Sequence, residues 1–309
     1  MNKRSVKKFS FTSDDYDEFT EMLTVANVEQ EILEVGAFKA TASLLISENV
    51  SINSFNINRK VLQKGTSIKG FITFTIYKPN VFFNWRKHEM KEGLIGILWN
   101  REHESISGSN FEATPISIEE NYFLKSCKIK GFPNLIELLS KNELLSVDEI
   151  KLFKIRQLIS FILKKNDIED SQLHHLMEIE LVDLLIDCLS DVLETKPTND
   201  ITNRNFYNIV DYINNHKTDL TSVSQICENN NVTERTLRRW FRKEFEISPK
   251  QYLNKLRLNK VRQVLKNKSN HSNISEIAHQ FNYWHMSQFA KDYKKLFNEL
   301  PSHTLKKYV

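Results

Sequence analysis

The residues best suited to chemistry on a charged partner lie between Thr233 and Phe245, where Arg235, Arg238, Arg239, Arg242 and Lys243 interleave with Leu237, Phe241 and Phe245. A guanidinium offers parallel N–H donors that fit a phosphate or the N7/O6 edge of guanine, whereas an ammonium acts as a point charge. Leu237, Phe241 and Phe245 stand at i, i+4 and i+8 on one face of a helix, so the arginines must look outward. Thr233, Glu234, Arg235, Arg238, Arg239 and Arg242 are therefore predicted to form an exposed base-reading surface. No glutamate is expected to neutralise these arginines at i+4, which makes a bare solvated basic face the weaker alternative.

The pattern occurs twice. Leu237, Phe241, Phe245 and Pro249 recur 52 residues later as Phe289, Tyr293, Phe297 and Pro301, the mark of one structural unit used twice. Upstream, SQICENNNV and SEIAHQFNY each read as a short helix ending at an asparagine, Asn231 or Asn282, before a second helix. This is the layout of a helix-turn-helix. Its tight turn needs positive φ, which glycine adopts freely and asparagine tolerates. In the second copy the outward residues are Trp284, His285, Met286, Ser287, Gln288 and Lys291, suited to thymine methyl groups and adenine. Lys243, Lys294, Lys295, Lys306 and Lys307 are placed for phosphates, which position a protein without reading sequence. Between the copies, Pro249 to Lys266 is predicted as one helix, buried through Leu253, Leu256, Val261, Val264 and Leu265. Its length of about 27 Å suits two reading helices about one DNA turn, ~34 Å, apart.

Holding such helices takes a domain of its own, and charge marks where it begins. Residues 201–309 hold 19 Lys or Arg against 9 Asp or Glu, a net of +10; residues 1–200 hold 24 against 30, a net of −6, and together these give the +4 of the whole. A basic third joined to an acidic remainder points to a polyanion partner for one part only. A chain of 309 residues supports two cores. The expected organisation is a sensor and dimerisation domain at 1–194, a polar linker at 195–204 and a DNA-binding domain at 205–309.

The N-terminal part carries short strand-like runs, SLLIS, VSINSFNI, GFITFTIY, GLIGILW and NYFLKSCKI, separated by Gly, Asn, Ser or Pro. In GFITFTIY the alternation sets Ile72, Phe74 and Ile76 on one face and Thr73 and Thr75 on the other, the period of a half-buried strand. The expected fold class is α+β: a small N-terminal β-barrel or jelly roll with dimerisation-type helices, then an all-α double helix-turn-helix. An effector held in such a barrel would meet aromatics drawn from Phe74, Phe82, Phe83, Trp85 and Trp99, of which Phe74, Trp85 and Trp99 are the chosen candidates; plain core packing is the competing role of each. Helices are predicted around Ser146 to Lys165 and Ser171 to Glu194. In the second, Leu173, Met177, Leu181, Leu184, Leu185, Cys188, Leu189 and Val192 form a broad apolar stripe that another helix must cover, from the same chain or from a second subunit.

Other classes fit poorly. His88 and His103 lack the close pairing a metal would need, and no Ser, Cys or His stands in a nucleophile-and-base context; neither metal nor cofactor is expected. No apolar stretch reaches the roughly 18–20 residues of a membrane span. The start of the chain turns from basic to acidic where a secretion signal needs an apolar core. Cys127, Cys188 and Cys227 are scattered, as in a reducing cytoplasm.

TERTLRRWFRKEFEISPKQYLNKLRLNKVRQVL and ISEIAHQFNYWHMSQFAKDYKKLFNELPSHTL, within about Asn205 to Val309, closely resemble the paired helix-turn-helix domain of AraC/XylS-type transcription regulators. Arg257 and Leu258, Ile277 and Ala278, and the ladder of Phe289, Tyr293, Phe297 and Pro301 stand at the family's spacing. Asparagine replaces the usual glycine at both turns, and Glu246 and Asn298 stand where glycine is common after the repeated helices. The wording YWHMSQFAKDYKKLF, with a long N-terminal region, is most similar to the branch containing the ethanolamine-operon regulator. The resemblance implies a cupin-like N-terminal domain and a sequence-specific regulator, an activator, with double-stranded promoter DNA and RNA polymerase as partners, a homodimeric state and a small-molecule effector. The alternatives left open are a ligand-independent, partner-controlled DNA binder and a cupin-type enzyme fused to a DNA-binding module.

Overall fold

The computed structural model describes residues 5–22, 28–77, 83–85, 88–164, 168–194, 204–216, 222–267 and 273–308. All but the last residue of the expected linker, together with Phe82 and the side chain of Phe83, lie outside the described set. Strand β1 (Lys7–Ser13) and helix α1 (Tyr16–Met22) precede β2 (Val28–Ile32), β3 (Ala40–Ile46), β4 (Val50–Ile57), β5 (Val61–Thr66), β6 (Phe71–Tyr77), β7 (Phe83–Trp85), β8 (His88–Glu89), β9 (Leu94–Leu98), β10 (Glu102–Ser107) and β11 (Phe111–Glu119). Helices α2 (Glu120–Ile129) and α3 (Leu135–Lys141), strand β12 (Leu144–Ser146) and helices α4 (Glu149–Lys164), α5 (Asp170–His175) and α6 (Leu181–Ser190) follow, with a π-helical turn at Leu176–Glu180 joining the last two. The remainder is helical: α7 (Arg204–Asn215), α8 (Val223–Asn229), α9 (Glu234–Phe245), α10 (Pro249–Lys266), α11 (Ile274–Gln280), α12 (Met286–Phe297) and α13 (Pro301–Tyr308).

The strands form two sheets, ordered β1-β3-β4-β11-β6-β9-β12 and β2-β5-β10-β7-β8. Among the described residues neither closes on itself into a barrel, and β6 shows how the larger sheet is used. Ile72, Phe74 and Ile76 join Ile95, Ile97, Ile116 and Ile118 in a core shared with Phe123 of α2, Leu152 and Ile155 of α4 and Leu181 and Leu185 of α6. The opposite face is buried too: Thr73 and Thr75 are 7% and 5% exposed and line a cavity. A threonine face suggests solvent, but a buried hydroxyl is stable when paired, as Thr73 Oγ1 is with Ser117 Oγ at 2.8 Å.

NYFLKSCKI is not a strand but α2. The Glu119 carboxylate caps it, accepting the Tyr122 N–H at 2.6 Å, and its buried residues Phe123 and Cys127 stand four apart. Cap and period override the strand-like composition. The apolar stripe of α5 and α6 is covered within the chain, since Leu173, Met177, Leu181, Leu185, Cys188 and Leu189 belong to the same core as α4 and α2; it is not left for a second subunit. Inside the π turn, Glu178 is 2% exposed. Its carboxylate accepts from Ser47 Oγ at 2.5 Å, the Asn49 N–H at 2.7 Å and Asn49 Nδ2 at 3.1 Å, which ties the helix to the turn between β3 and β4.

The chain falls into two compact units. One holds residues 1–30, 39–58 and 63–200, and the other holds residues 31–38, 59–62 and 201–309. The second unit thus takes in two short segments from the N-terminal half. Its core includes an aromatic cluster in which Phe206, Phe241, Phe245 and Tyr252 meet at 5.1–5.4 Å between ring centres.

Candidate nucleic-acid interface

Asn231, between α8 and α9, sits at φ 50°, and Asn282, between α11 and α12, at φ 64°. Both take the left-handed geometry expected of them, which side chains other than asparagine bear poorly. The residue closing each following helix does the same: Glu246 at φ 59° and Asn298 at φ 60°. Their N–H groups donate to the carbonyls of Arg242 at 3.2 Å and Lys294 at 2.8 Å. Each chain then restarts on a buried proline, Pro249 of α10 or Pro301 of α13. Thr233 caps α9 by accepting the Thr236 N–H at 3.2 Å, while His285 precedes α12 without a side-chain cap.

These constraints fix the faces. Leu237, Phe241 and Phe245 are fully buried, whereas Thr233, Glu234, Arg235, Arg238, Arg239, Arg242 and Lys243 are exposed. On α12, Phe289 and Tyr293 point inward with Leu296, and Phe297 is only half-buried. Trp284, His285, Ser287, Gln288 and Lys291 are exposed and Met286 is half-buried. Trp284, 68% exposed, stacks on His279 at 5.1 Å. Lys294, Lys295, Lys306 and Lys307 are exposed.

One expectation fails: Glu234 does neutralise an arginine one turn on, pairing with Arg238 at 2.5 Å. Both side chains are more than half exposed, so the pair adds little stability and yields readily to a stronger partner. Gln288 likewise donates to Asp292 at 2.9 Å and must turn to meet a base. Arg238 and Arg242 border an open groove with Ser222, Lys250 and Arg257. Lys250 and Arg257 are absent from the sequence-derived contacts, although Lys250 directly follows the proline that opens α10.

The two borrowed segments hold helices of this unit. Lys60, 7% exposed, donates to the Phe245 carbonyl at 3.1 Å and pairs with Glu246 at 3.0 Å; a cation at the end of α9 suits the helix dipole. Asn259 of α10 mimics a neighbouring strand. Its Oδ1 accepts the Ile32 N–H at 3.1 Å and its Nδ2 donates to the Ile32 carbonyl at 3.0 Å. Lys255 donates to the Leu33 carbonyl, and burial lowers its pKa to about 8 against the pull of Glu34. Arg262, 5% exposed, pairs with Glu299 at 2.6 Å, donates to Tyr293 Oη and Thr304 Oγ1 at 3.2 Å each, and lies 4.6 Å over the Phe297 ring. It thereby locks α10 to α12 and α13, while burial pushes the Tyr293 phenol up to about 12.

In the first unit, side chains of both sheets line a partly open cavity of about 110 Å³. Trp85 lines it. Phe74 is turned to the other face, 5.1 Å from the Phe123 ring, because neighbours along a strand alternate. Trp99 packs on the sheet–helix core. Phe55, Tyr77 and Phe111, unmarked in the sequence reading, complete the aromatic wall. Gly96 shapes it: a Cβ there would stand 2.6 Å from the Tyr77 hydroxyl and 3.0 Å from the Trp85 ring, so only glycine lets both approach. Burial raises the Cys127 thiol to about 11 and the Cys188 thiol to about 12, away from the range of a nucleophile.

A family model described as a helix-turn-helix domain matches residues 226–307. The XylDLEGF operon transcriptional activator of Pseudomonas putida is 31% identical over 105 residues, 34% of this chain and 33% of that protein. The HTH-type transcriptional activator RhaS of Salmonella schwarzengrund is 26% identical over 155 residues, 50% of this chain and 54% of that protein. Among solved structures, that of the AraC-like transcriptional activator CuxR aligns with 82% of this chain and 94% of its own, at a TM-score of 0.46 and 10% identity. The chain thus spans about a third of the first relative and about half of the second. These relatives are regulators rather than enzymes, and the matches do not reach down to the ethanolamine-operon branch. Through its C-terminal third, the chain carries a helix-turn-helix domain similar to that of AraC/XylS-type transcription regulators.

Proposed function

We propose that this chain is a cytoplasmic, sequence-specific activator of transcription that sets α9 and α12 into adjacent major grooves of promoter DNA. The observation that carries the reading is the repeated geometry: a left-handed asparagine precedes a helix with one buried face and one polar, exposed face, twice. Arg235, Arg238, Arg239 and Arg242 suit guanine, and Trp284, Met286 and Gln288 suit A·T pairs. The 18 residues of α10 span about 27 Å, which favours reading helices about one turn of DNA apart. Relatives that are operon activators favour activation, with RNA polymerase as the partner at the promoter.

In this reading residues 1–194 form the cupin-like sensor and dimerisation part, 195–204 the linker and 205–309 the DNA-binding part, to which residues 31–38 and 59–62 are added. A small-molecule effector biases DNA binding. The homodimer uses the outer face of α4, where Ile150 and Phe153 are 68% and 57% exposed. Among the described residues, no helix is long and apolar enough to cross a membrane. Genomic footprinting with the full chain tests the proposal, followed by affinity measurements on a footprinted site and a scrambled duplex. The site should bind at least about 10³-fold tighter, and both affinities should fall steeply between 50 and 200 mM salt. Equal affinity for the two duplexes would leave only a nonspecific basic domain.

A further inference from the structure

We infer that the cavity between the two sheets is a site for a small, uncharged molecule of about one ring whose hydrogen-bond donor and acceptor pair with Gln30 and Asn53. The inference rests on the proposed effector control and names the effector's chemistry. Size comes first. The cavity holds about 110 Å³, and an apolar cavity of roughly 150 Å³ takes one benzene. Aromatic faces from Phe55, Tyr77, Trp85 and Phe111 suit a flat ring.

Charge comes next. Among the described residues, no Asp, Glu, Lys or Arg lines the cavity, and burial holds the Tyr77 phenol in its neutral form. An ion entering here would lose its hydration without gaining a counter-charge.

The polar atoms of the wall divide into two sets. Thr73 and Ser117 satisfy each other, and His103 meets Ser105 Oγ at 3.1 Å. Gln30, 6% exposed, has both amide atoms buried without a partner among the described residues, as does Asn53 Oδ1. Buried polar atoms are nearly always paired, so a complementary donor and acceptor on a neutral ligand would complete what the fold leaves open. Along the chain, Gln30 immediately precedes residues 31–38 and Gln63, also in the wall, immediately follows residues 59–62, the two segments counted with the DNA-binding unit.

Ligand-observed NMR and Trp fluorescence on the full chain test this with three isosteres: benzamide, benzoate and toluene. Benzamide should bind, benzoate should bind at least about tenfold more weakly, and Gln30→Leu should weaken benzamide about tenfold while leaving toluene unchanged or tighter. Without ligand, Gln30→Leu should not lower the melting temperature, since it removes two unpaired buried atoms. Benzoate binding as well as benzamide, benzamide indifferent to Gln30→Leu, a destabilised Gln30→Leu chain, or no probe bound at about 10 mM would each overturn the inference. Benzamide binding without any change in DNA affinity would uphold the site and sink effector control instead.

Discussion

Replacing Arg238 by alanine tests whether the outer face of α9 reads bases. Before its guanidinium can contact DNA it must leave Glu234, 2.5 Å away. Because both groups are more than half exposed, that i, i+4 pair is worth only about 0.3–0.5 kcal/mol. A bidentate contact to guanine contributes about 1–3 kcal/mol. Losing Arg238 should therefore weaken the specific complex by about 0.5–2.7 kcal/mol, or roughly 2- to 100-fold in affinity, and relax preference at one base pair. Fluorescence anisotropy on a footprinted site and a scrambled duplex, at several salt concentrations, measures this. A phosphate contact would behave differently: it would cost both duplexes alike and lower the slope of log affinity against log salt by about 0.9. Glu234→Gln serves as the companion, since it frees the guanidinium and removes a carboxylate facing an anionic partner. It should tighten both complexes at low salt, with the gain fading as salt rises. If Arg238→Ala leaves both affinities unchanged, α9 does not face DNA and the proposed docking is wrong.

Three further predictions concern the frame that holds the site. Arg262→Met takes the cation from Glu299, to which Thr304 Oγ1 still donates at 2.6 Å, and breaks the links to Tyr293 and Thr304, so thermal unfolding should show a loss of about 1.5–3 kcal/mol; the double change with Glu299→Leu should recover part of it. Glu178→Ala removes a buried carboxylate with three donors and should cost at least about 2 kcal/mol in urea unfolding. Lys255 titrates near 8 in the folded chain against an ordinary 10.5, so between these values the unfolded chain binds more protons and stability should rise with pH. The difference in unfolding midpoint between the native chain and Lys255→Met, followed from pH 7.5 to 10, should display that rise; a difference that falls or stays flat refutes it.

The helix-turn-helix pair was legible because its determinants are local. Buried positions four apart, a left-handed asparagine and a helix-opening proline all act within a few residues of one another, and the 52-residue offset displays them twice. The Glu234–Arg238 pair is equally local, since the two stand four apart. In the N-terminal part the determinants are distant. β11 pairs with β4 on one side and β6 on the other, a neighbourhood that no short stretch encodes. Alternation in β6 separated Phe74 from Thr73 and Thr75 correctly, yet which face meets the cavity depends on α2, α4 and α6 covering the other. Trp85 lines the cavity and Phe74 does not for that reason. The Ile32–Asn259 pairing spans 227 positions, and neither residue's local context hints at it.

The same contrast between local and distant causes explains how the two copies differ where glycine is common in the family. Asn298 meets the left-handed requirement through its own residue type. Glu246 has no such tolerance, and a left-handed residue with an ordinary Cβ costs roughly 1–2 kcal/mol. Lys60 bears on that cost twice, through its pair with the Glu246 carboxylate and its bond to the Phe245 carbonyl, the second of which survives whatever side chain stands at 246. The carboxylate itself is 82% exposed, so its pair contributes little; what Lys60 chiefly stabilises is the end of α9, with its orphan carbonyl and helix dipole. A segment from the N-terminal half therefore supports the termination of α9, the helix that carries the arginines, and the strained geometry at Glu246 is held by contacts that the repeat alone does not supply.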